Sequence, residues 1–142
     1  MKSTAAAVWE GGLKDGKGKL TSGSGAFTDS AYTFAKRFEG AGAGTTPEEL
    51  VAAAHSGCFA MATSAELGKA GFTPTRLSVK ATVTLEPVDG KPTVSSSALE
   101  LEAVVPGIDD AKFQEIAAGA KAGCPISRLL NTNITLTAKL VS

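Results

Sequence analysis

Two cysteines, one arginine and a pair of glutamates are the residues of this chain whose types and spacing could do chemistry together. Cys58 lies in Ala52-Ala53-Ala54-His55-Ser56-Gly57-Cys58-Phe59-Ala60-Met61, an apolar stretch of small residues. The other thiol, Cys124, stands far downstream in Gly123-Cys124-Pro125-Ile126-Ser127. Two thiols so placed suit redox chemistry better than a structural framework. A cysteine has a reference pKa of about 8.5, so only a few per cent is thiolate at neutral pH, and burial among apolar groups lowers that fraction further. A reactive Cys58 therefore needs a cation. The helix expected to carry it starts twelve residues upstream, about 18 Å away at 1.5 Å per residue, too far for its dipole to act. Arg37, just before a glycine-rich segment, is the cation expected, with Lys36 as the fallback.

An arginine in an apolar site needs a carboxylate to hold it. Glu48 and Glu49 are the nearest in sequence, and Glu48 is preferred. Glu48 and Cys58 are ten residues apart, about 15 Å of helix rise. On one straight helix they do not meet around a single guanidinium. Two copies of the helix crossing antiparallel near Ala53, among the small Ala52-Ala53-Ala54, bring them together. The expectation is a homodimer with composite sites; a kink near Glu48 would remove the need for it. Cys124-Pro125 reads as an N-cap followed by proline at the first helical position. Its sulfur is then near unpaired helix N–H groups, which favour thiolate and suit attack on an oxidised partner sulfur. His55, three residues before Cys58, is either a base or, by default, a hydrogen-bonded structural histidine.

The elements that must position these residues follow from periodicity and caps. Ala5 to Trp9 is a strand, and Gly11-Gly12 with Asp15-Gly16-Lys17-Gly18 turns it into a return over Lys19 to Thr21. Ala31 to Phe38 reads as extended, and Trp9 and Tyr32 as packing residues. Thr46, Pro47 and Glu49 form a capping box with proline at the first turn, and Lys69 and Gly71 mark the helix end. From Leu50 to Met61 this helix is apolar or small nearly all round, which predicts burial on most sides. Leu77 to Leu85 and Ser97 to Val105 alternate as strands about an Asp89-Gly90 turn. Asp109 caps a helix through about Ala122, with Phe113, Ile116, Ala117 and Ala120 inward. A short helix runs from Cys124-Pro125 to Leu130, and Asn133 to Val141 alternates as the last strand. The order predicts a single α+β domain over residues 1–142 with antiparallel sheet around a long helix.

Bulk properties exclude much. A chain of 142 residues builds one core without staples. Its zero formal charge and lack of basic runs argue against nucleic acid. No apolar run approaches the roughly 20 residues of a membrane span. The N-terminal stretch, interrupted by Glu10, is too short for a signal peptide. A cytoplasmic protein with free thiols is expected. Two cysteines and one histidine do not build a zinc site without carboxylates, and neither a nucleotide loop nor a Cys-x-x-Cys is present.

Arg37-Phe38-Glu39-Gly40, Gly44-Thr45-Thr46-Pro47-Glu48-Glu49-Leu50, the Ala-Ala-His-Ser-Gly-Cys58-Phe segment, Gly71-Phe72-Thr73-Pro74, Val105-Pro106-Gly107-Ile108 and Ala122-Gly123-Cys124-Pro125-Ile126-Ser127 together resemble the OsmC branch of the OsmC/Ohr peroxidases. The resemblance runs over essentially the whole chain. It implies an intertwined α+β homodimer that reduces organic hydroperoxides, and hydrogen peroxide more weakly, in oxidative or osmotic stress defence. It implies that Cys58 is peroxidatic and Cys124 resolving, with Arg37 and Glu48 as activating partners. Thr45-Thr46 departs from a Thr-Asn pattern, a conservative change at a cap. The implied cycle makes a sulfenic acid on Cys58, then a Cys58–Cys124 disulfide, which an external dithiol reduces. Metal, flavin and nucleotide have no part in it. Phe59, Met61 and Leu129 would favour alkyl or acyl substrates. Two readings from other classes compete: a thiol redox sensor without turnover, and a non-enzymatic dimer that binds an apolar ligand.

Overall fold

Six residues, Ala5–Glu10, form strand β1 and pair antiparallel with β2, Lys17–Ser22, in register from Ala5 opposite Ser22 to Glu10 opposite Lys17. In the computed structural model, which describes Met1–Ser142, these belong to the first of two compact units, Met1–Leu50 and Val51–Ser142. A short third strand, β3 (Ser30–Tyr32), adds to β2 antiparallel. Trp9 and Tyr32 meet across this sheet with ring centroids 5.4 Å apart, consistent with their reading as packing residues. None of the fully buried apolar side chains belongs to this unit; Val8 is 57% exposed.

The extended reading of Ala31–Phe38 holds only to Tyr32. Beyond it, Ala35–Glu39 winds into a π-helical turn. Local hydrogen bonds override the extended pattern. The Lys36 N–H donates to Thr33 Oγ1 at 3.1 Å and the Arg37 N–H to the Thr33 carbonyl at 3.1 Å. Gly40, in the left-handed region at φ 68°, closes the turn by donating to the Ala35 carbonyl. Gly44, at φ 107°, then runs against β3 so closely that a Cβ there would overlap the Ala31 carbonyl oxygen. That carbonyl accepts the Thr45 N–H at 2.9 Å.

Helix α1 spans Pro47–Lys69 without a break. Thr46 Oγ1 accepts the Glu49 N–H at 3.0 Å, half of the expected capping box. Glu49 does not complete it; its carboxylate accepts the Thr45 hydroxyl at 3.1 Å. Gly71, at φ 87°, ends the helix, and the Phe72 N–H returns to the Leu67 carbonyl at 2.9 Å.

In the second unit, β4 (Arg76–Val88) and β5 (Lys91–Val104) form a long antiparallel hairpin with Asp89 and Gly90 both at positive φ in its turn. Helices α2 (Asp110–Gly123) and α3 (Pro125–Leu129) follow, then β6 (Asn133–Val141). The sheet order is β4-β5-β6. One pairing departs from the antiparallel expectation: β6 runs parallel to β5, Ser96 opposite Asn133 through Val104 opposite Val141. The reason is topological. The helical crossover through α2 and α3 carries the chain back to the starting end of β5, which is what a parallel neighbour requires. The chain is α+β, with two small sheets and one long helix.

The core lies within the second unit. Every second residue of β5, Ser97, Leu99, Leu101 and Ala103, is buried, while Glu100 and Glu102 are exposed. On α1 the buried residues His55, Phe59, Thr63 and Leu67 recur every fourth position. The expectation of burial on most sides of α1 is corrected here. Glu48 and this stripe are buried, Val51, Ala52, Cys58 and Ala62 are half-buried, and Ala53, Ala54, Gly57 and Met61 are exposed, Met61 to 77%. The sheet has one face to offer, and the small residues on the other side have nothing against them.

Phe113, Ile116, Ala117 and Ala120 of α2 complete the core, the four expected from periodicity. Asp109 caps α2, its Oδ1 accepting the Lys112 N–H at 2.8 Å. Asp109→Ala is expected to cost about 1 kcal/mol of unfolding free energy, readable as a lower denaturant midpoint at unchanged slope.

Candidate active site

The first unit holds an ion pair built by the π-turn and the start of α1. Arg37 Nη2 lies 2.7 Å from Glu48 Oε1, and Arg37 Nε reaches the two carboxylate oxygens at 3.1 and 3.3 Å. The guanidinium also lies 5.2 Å from the centroid of the Phe38 ring. Glu48 is 8% exposed, so its charge would be costly without this partner. Glu48, not Glu49, is the carboxylate that holds Arg37. Beside Arg37, Trp9, Tyr32, Phe34 and Phe38 line a pocket of about 270 Å³.

The second unit holds both thiols. Cys58 is half-buried on α1 and Cys124 is fully buried between α2 and α3, both free. Their sulfurs are 3.0 Å apart, about 1 Å longer than a disulfide bond. The sequence separation of 66 residues gave no hint of this distance; the crossover that returns α3 to α1 creates it. Cys124 occupies the cap position of α3 as expected, but its side chain closes no capping hydrogen bond.

Burial is the largest influence on each thiol. It pushes Cys58 up; its hydrogen bond and charge interaction with Cys124 add to that, and the Ile126 N–H offsets only part. No cation enters this balance. At Cys124 burial also pushes up. Its contact with Cys58 and the nearby polar groups of Ser127 and Ile126 outweigh it, and the thiol is lowered.

His55 is fully buried one helical turn before Cys58. Its Nδ1 lies 2.7 Å from Ser97 Oγ and its Nε2 2.8 Å from Ser127 Oγ. Burial pushes its pKa below the usual histidine range. Ser97 and Ser127 were not singled out in the sequence. A signal existed for both: Ser97 shares the β5 phase of Leu99 and Leu101, and Ser127 stands three residues after Cys124 on the same short helix. Phe59, expected beside a substrate, is instead wholly in the core, while Leu129 is 74% exposed.

The chain is similar to several known proteins. A family model described as OsmC-like protein matches residues 40–139. The chain is 48% identical over 136 residues to "Peroxiredoxin OsmC" of Escherichia coli (strain K12), covering 96% of this chain and 94% of that protein. It is 32% identical over 115 residues to "Organic hydroperoxide resistance protein" of Xanthomonas axonopodis pv. citri (strain 306), covering 79% and 78% of the two. Among solved structures, the organic hydroperoxide resistance protein OhrB of Bacillus subtilis superposes with a TM-score of 0.70 at 24% identity, over 97% of this chain and 98% of that one, a likeness of fold.

Proposed function

The chain belongs to the OsmC-like protein family and is a thiol-dependent peroxidase, an oxidoreductase, and on that premise we propose that it reduces organic hydroperoxides to alcohols through Cys58 and Cys124. The observation that carries the reading is the 3.0 Å contact between the two free sulfurs. The Cys58 thiolate attacks the distal peroxide oxygen; the O–O bond breaks, the alkoxide takes a proton and leaves as the alcohol, and Cys58 becomes a sulfenic acid. Cys124 attacks that sulfur, water leaves, and a disulfide forms. An external dithiol returns both thiols.

Arg37 is the cation that Cys58 lacks in its own surroundings. Glu48 grips Nε and Nη2 and leaves Nη1 without a protein acceptor, so one edge of the guanidinium is available to the peroxide oxygens and the thiolate. The aromatic pocket beside it suits the organic group of the hydroperoxide. Hydrogen peroxide, with nothing to place there, is reduced more weakly.

The reading includes a homodimer in which Arg37 and Glu48 of one subunit serve Cys58 of the other, each copy acting as one functional domain. Glu48 and Cys58 lie on one unbroken helix, about 15 Å apart in rise. The uncovered Ala53, Ala54, Gly57 and Met61 offer α1 a close crossing partner. The open face of β1–β3, with a concavity of about 640 Å³ along Ala6, Val8, Lys19 and Thr21, offers a second surface to the same partner. No helix is long and apolar enough to cross a membrane. Free thiols fit a reducing compartment, the cytoplasm, and peroxide removal fits defence against oxidative and osmotic stress.

Treating the protein with one equivalent of an alkyl hydroperoxide should remove two hydrogens from its mass and link the Cys58 and Cys124 peptides, and a dithiol should reverse both changes. Thiols that stay free under that treatment overturn the reading. Sedimentation of active protein should give a dimer; a fully active monomer removes the composite site.

A further inference from the structure

We propose that Phe38 is a positioning residue for Arg37: its ring fixes the tilt of the guanidinium whose edge Glu48 holds, and so sets the direction of Nη1. The proposal rests on the peroxidase reading, in which that nitrogen serves the peroxide oxygens and the thiolate. Glu48 meets Arg37 at Nε and Nη2, at distances from 2.7 to 3.3 Å. Two bonds along one edge hold a guanidinium within its own plane. They leave it free to rock about that edge, because carboxylate oxygens accept over a broad range of directions. Nη1, on the far side of the edge, moves most in such rocking. A surface against the flat face removes the freedom. The Phe38 ring supplies that surface, with Arg37 Cζ 5.2 Å from its centroid. The negative face of the aromatic quadrupole attracts the cation, and the bulk of the ring blocks motion towards it.

The ring is itself braced. Phe34 packs on Phe38 with centroids 4.8 Å apart and planes inclined at 38°. The turn that brings the two together also carries Arg37: it spans Ala35–Glu39 and is closed by the Gly40 N–H on the Ala35 carbonyl. Phe38 is 42% exposed, so without Phe34 its side chain would exchange among rotamers. Phe34, Phe38 and the guanidinium thus form three successive layers, with Glu48 at the edge of the third. Phe38 also lines the pocket of about 270 Å³ with Trp9, Leu13 and Tyr32. One side chain therefore borders both the place proposed for the organic group and the cation proposed for the oxygens.

Hydrogen peroxide separates positioning from shaping, since it has no organic group to place in the pocket. Phe38→Leu keeps an apolar side chain and loses the aromatic face. It should lower kcat/KM about three- to tenfold for cumene hydroperoxide and for hydrogen peroxide alike. Phe38→Tyr, which restores the face, should recover most of both. In an Arg37→Ala background, Phe38→Leu should cost hydrogen peroxide reduction nothing further, because the ring acts only through the guanidinium.

A loss confined to cumene hydroperoxide makes Phe38 a pocket wall only and overturns the proposal. So does a loss that persists undiminished in Arg37→Ala, which marks a general structural effect, and so does a Phe38→Tyr protein as slow as Phe38→Leu. Where Phe38→Leu does not fold, Phe34→Leu takes its place: loosening the brace should slow hydrogen peroxide reduction in the same direction, and an unchanged rate counts against the proposal. If Arg37→Ala reduces both peroxides at the parent rate, the role of Arg37 in the peroxidase reading fails. If Arg37→Ala is crippled and Phe38→Leu is not, the positioning role of Phe38 alone fails.

Discussion

Cys58→Ser should lower steady-state reduction of an alkyl hydroperoxide by at least about 10³-fold, with dithiol and peroxide saturating. The substitution changes one atom and almost no volume, so folding is spared. A serine hydroxyl is far less acidic than a thiol and does not form the sulfenic acid through which the cycle passes. Cys124→Ser should separate the two halves of the reaction. It should consume about one equivalent of peroxide per subunit in a rapid burst, stop as the sulfenic acid, and then over-oxidise with excess peroxide. The measurement is peroxide loss by stopped flow, with mass spectrometry of Cys58. If Cys58→Ser turns over as the parent does, or if Cys124→Ser loses its burst as completely as Cys58→Ser, the assignment of roles is wrong. Burial raises the Cys58 thiol above its ordinary value. The role of first nucleophile therefore depends on the cation, which leads to the second expected result.

Arg37→Ala should cost about 10²- to 10³-fold in kcat/KM, and Arg37→Lys should recover little. A lysine keeps the charge but not the planar fork that Glu48 grips by Nε and Nη2. The pH profile carries the mechanism. Burial pushes the Cys58 thiol up, and the cation opposes that push. Without it, the rise of rate with pH should move to higher pH. An unmoved profile would show that Arg37 serves only the peroxide. Mixing subunits tests the composite site directly. Arg37→Ala and Cys58→Ser subunits are each inactive, but a mixed dimer holds one site with both groups intact. Random exchange should restore about a quarter of parental activity, since half the dimers are mixed and each has one working site of two. No recovery on verified exchange would place both groups in one subunit.

The elements were readable in the sequence because their signals are local. The Thr46-Pro47 start of α1, the Asp109 cap, the α2 core face and the alternation of β6 depend on residues within a turn or two of one another. The π-turn at Ala35–Glu39 was not readable, because its hydrogen-bond pattern differs from the α-helical one by one residue and its aromatics imitate a strand. The parallel pairing of β6 was not readable either, since periodicity is blind to direction. Within the site, residue types pointed to Cys58, Cys124, Arg37 and Glu48, but no spacing measured the sulfur separation. Ser97 and Ser127 escaped notice because a serine in a core phase looks like any other serine until a buried imidazole is found between two of them.

The wide turn that presents Arg37 has a consequence for descent. A π-turn is an α-turn with one surplus residue. Removing any one of Ala35 to Glu39 would let the segment relax to ordinary helical geometry and swing the side chains on one flank by about 100°, the angle per residue of a regular helix. Arg37 would then part from Glu48 with every chemical group still encoded. Length in this segment is therefore under tighter constraint than composition: substitutions at Ala35 or Lys36 are tolerable, whereas a single-codon deletion is equivalent to losing the arginine.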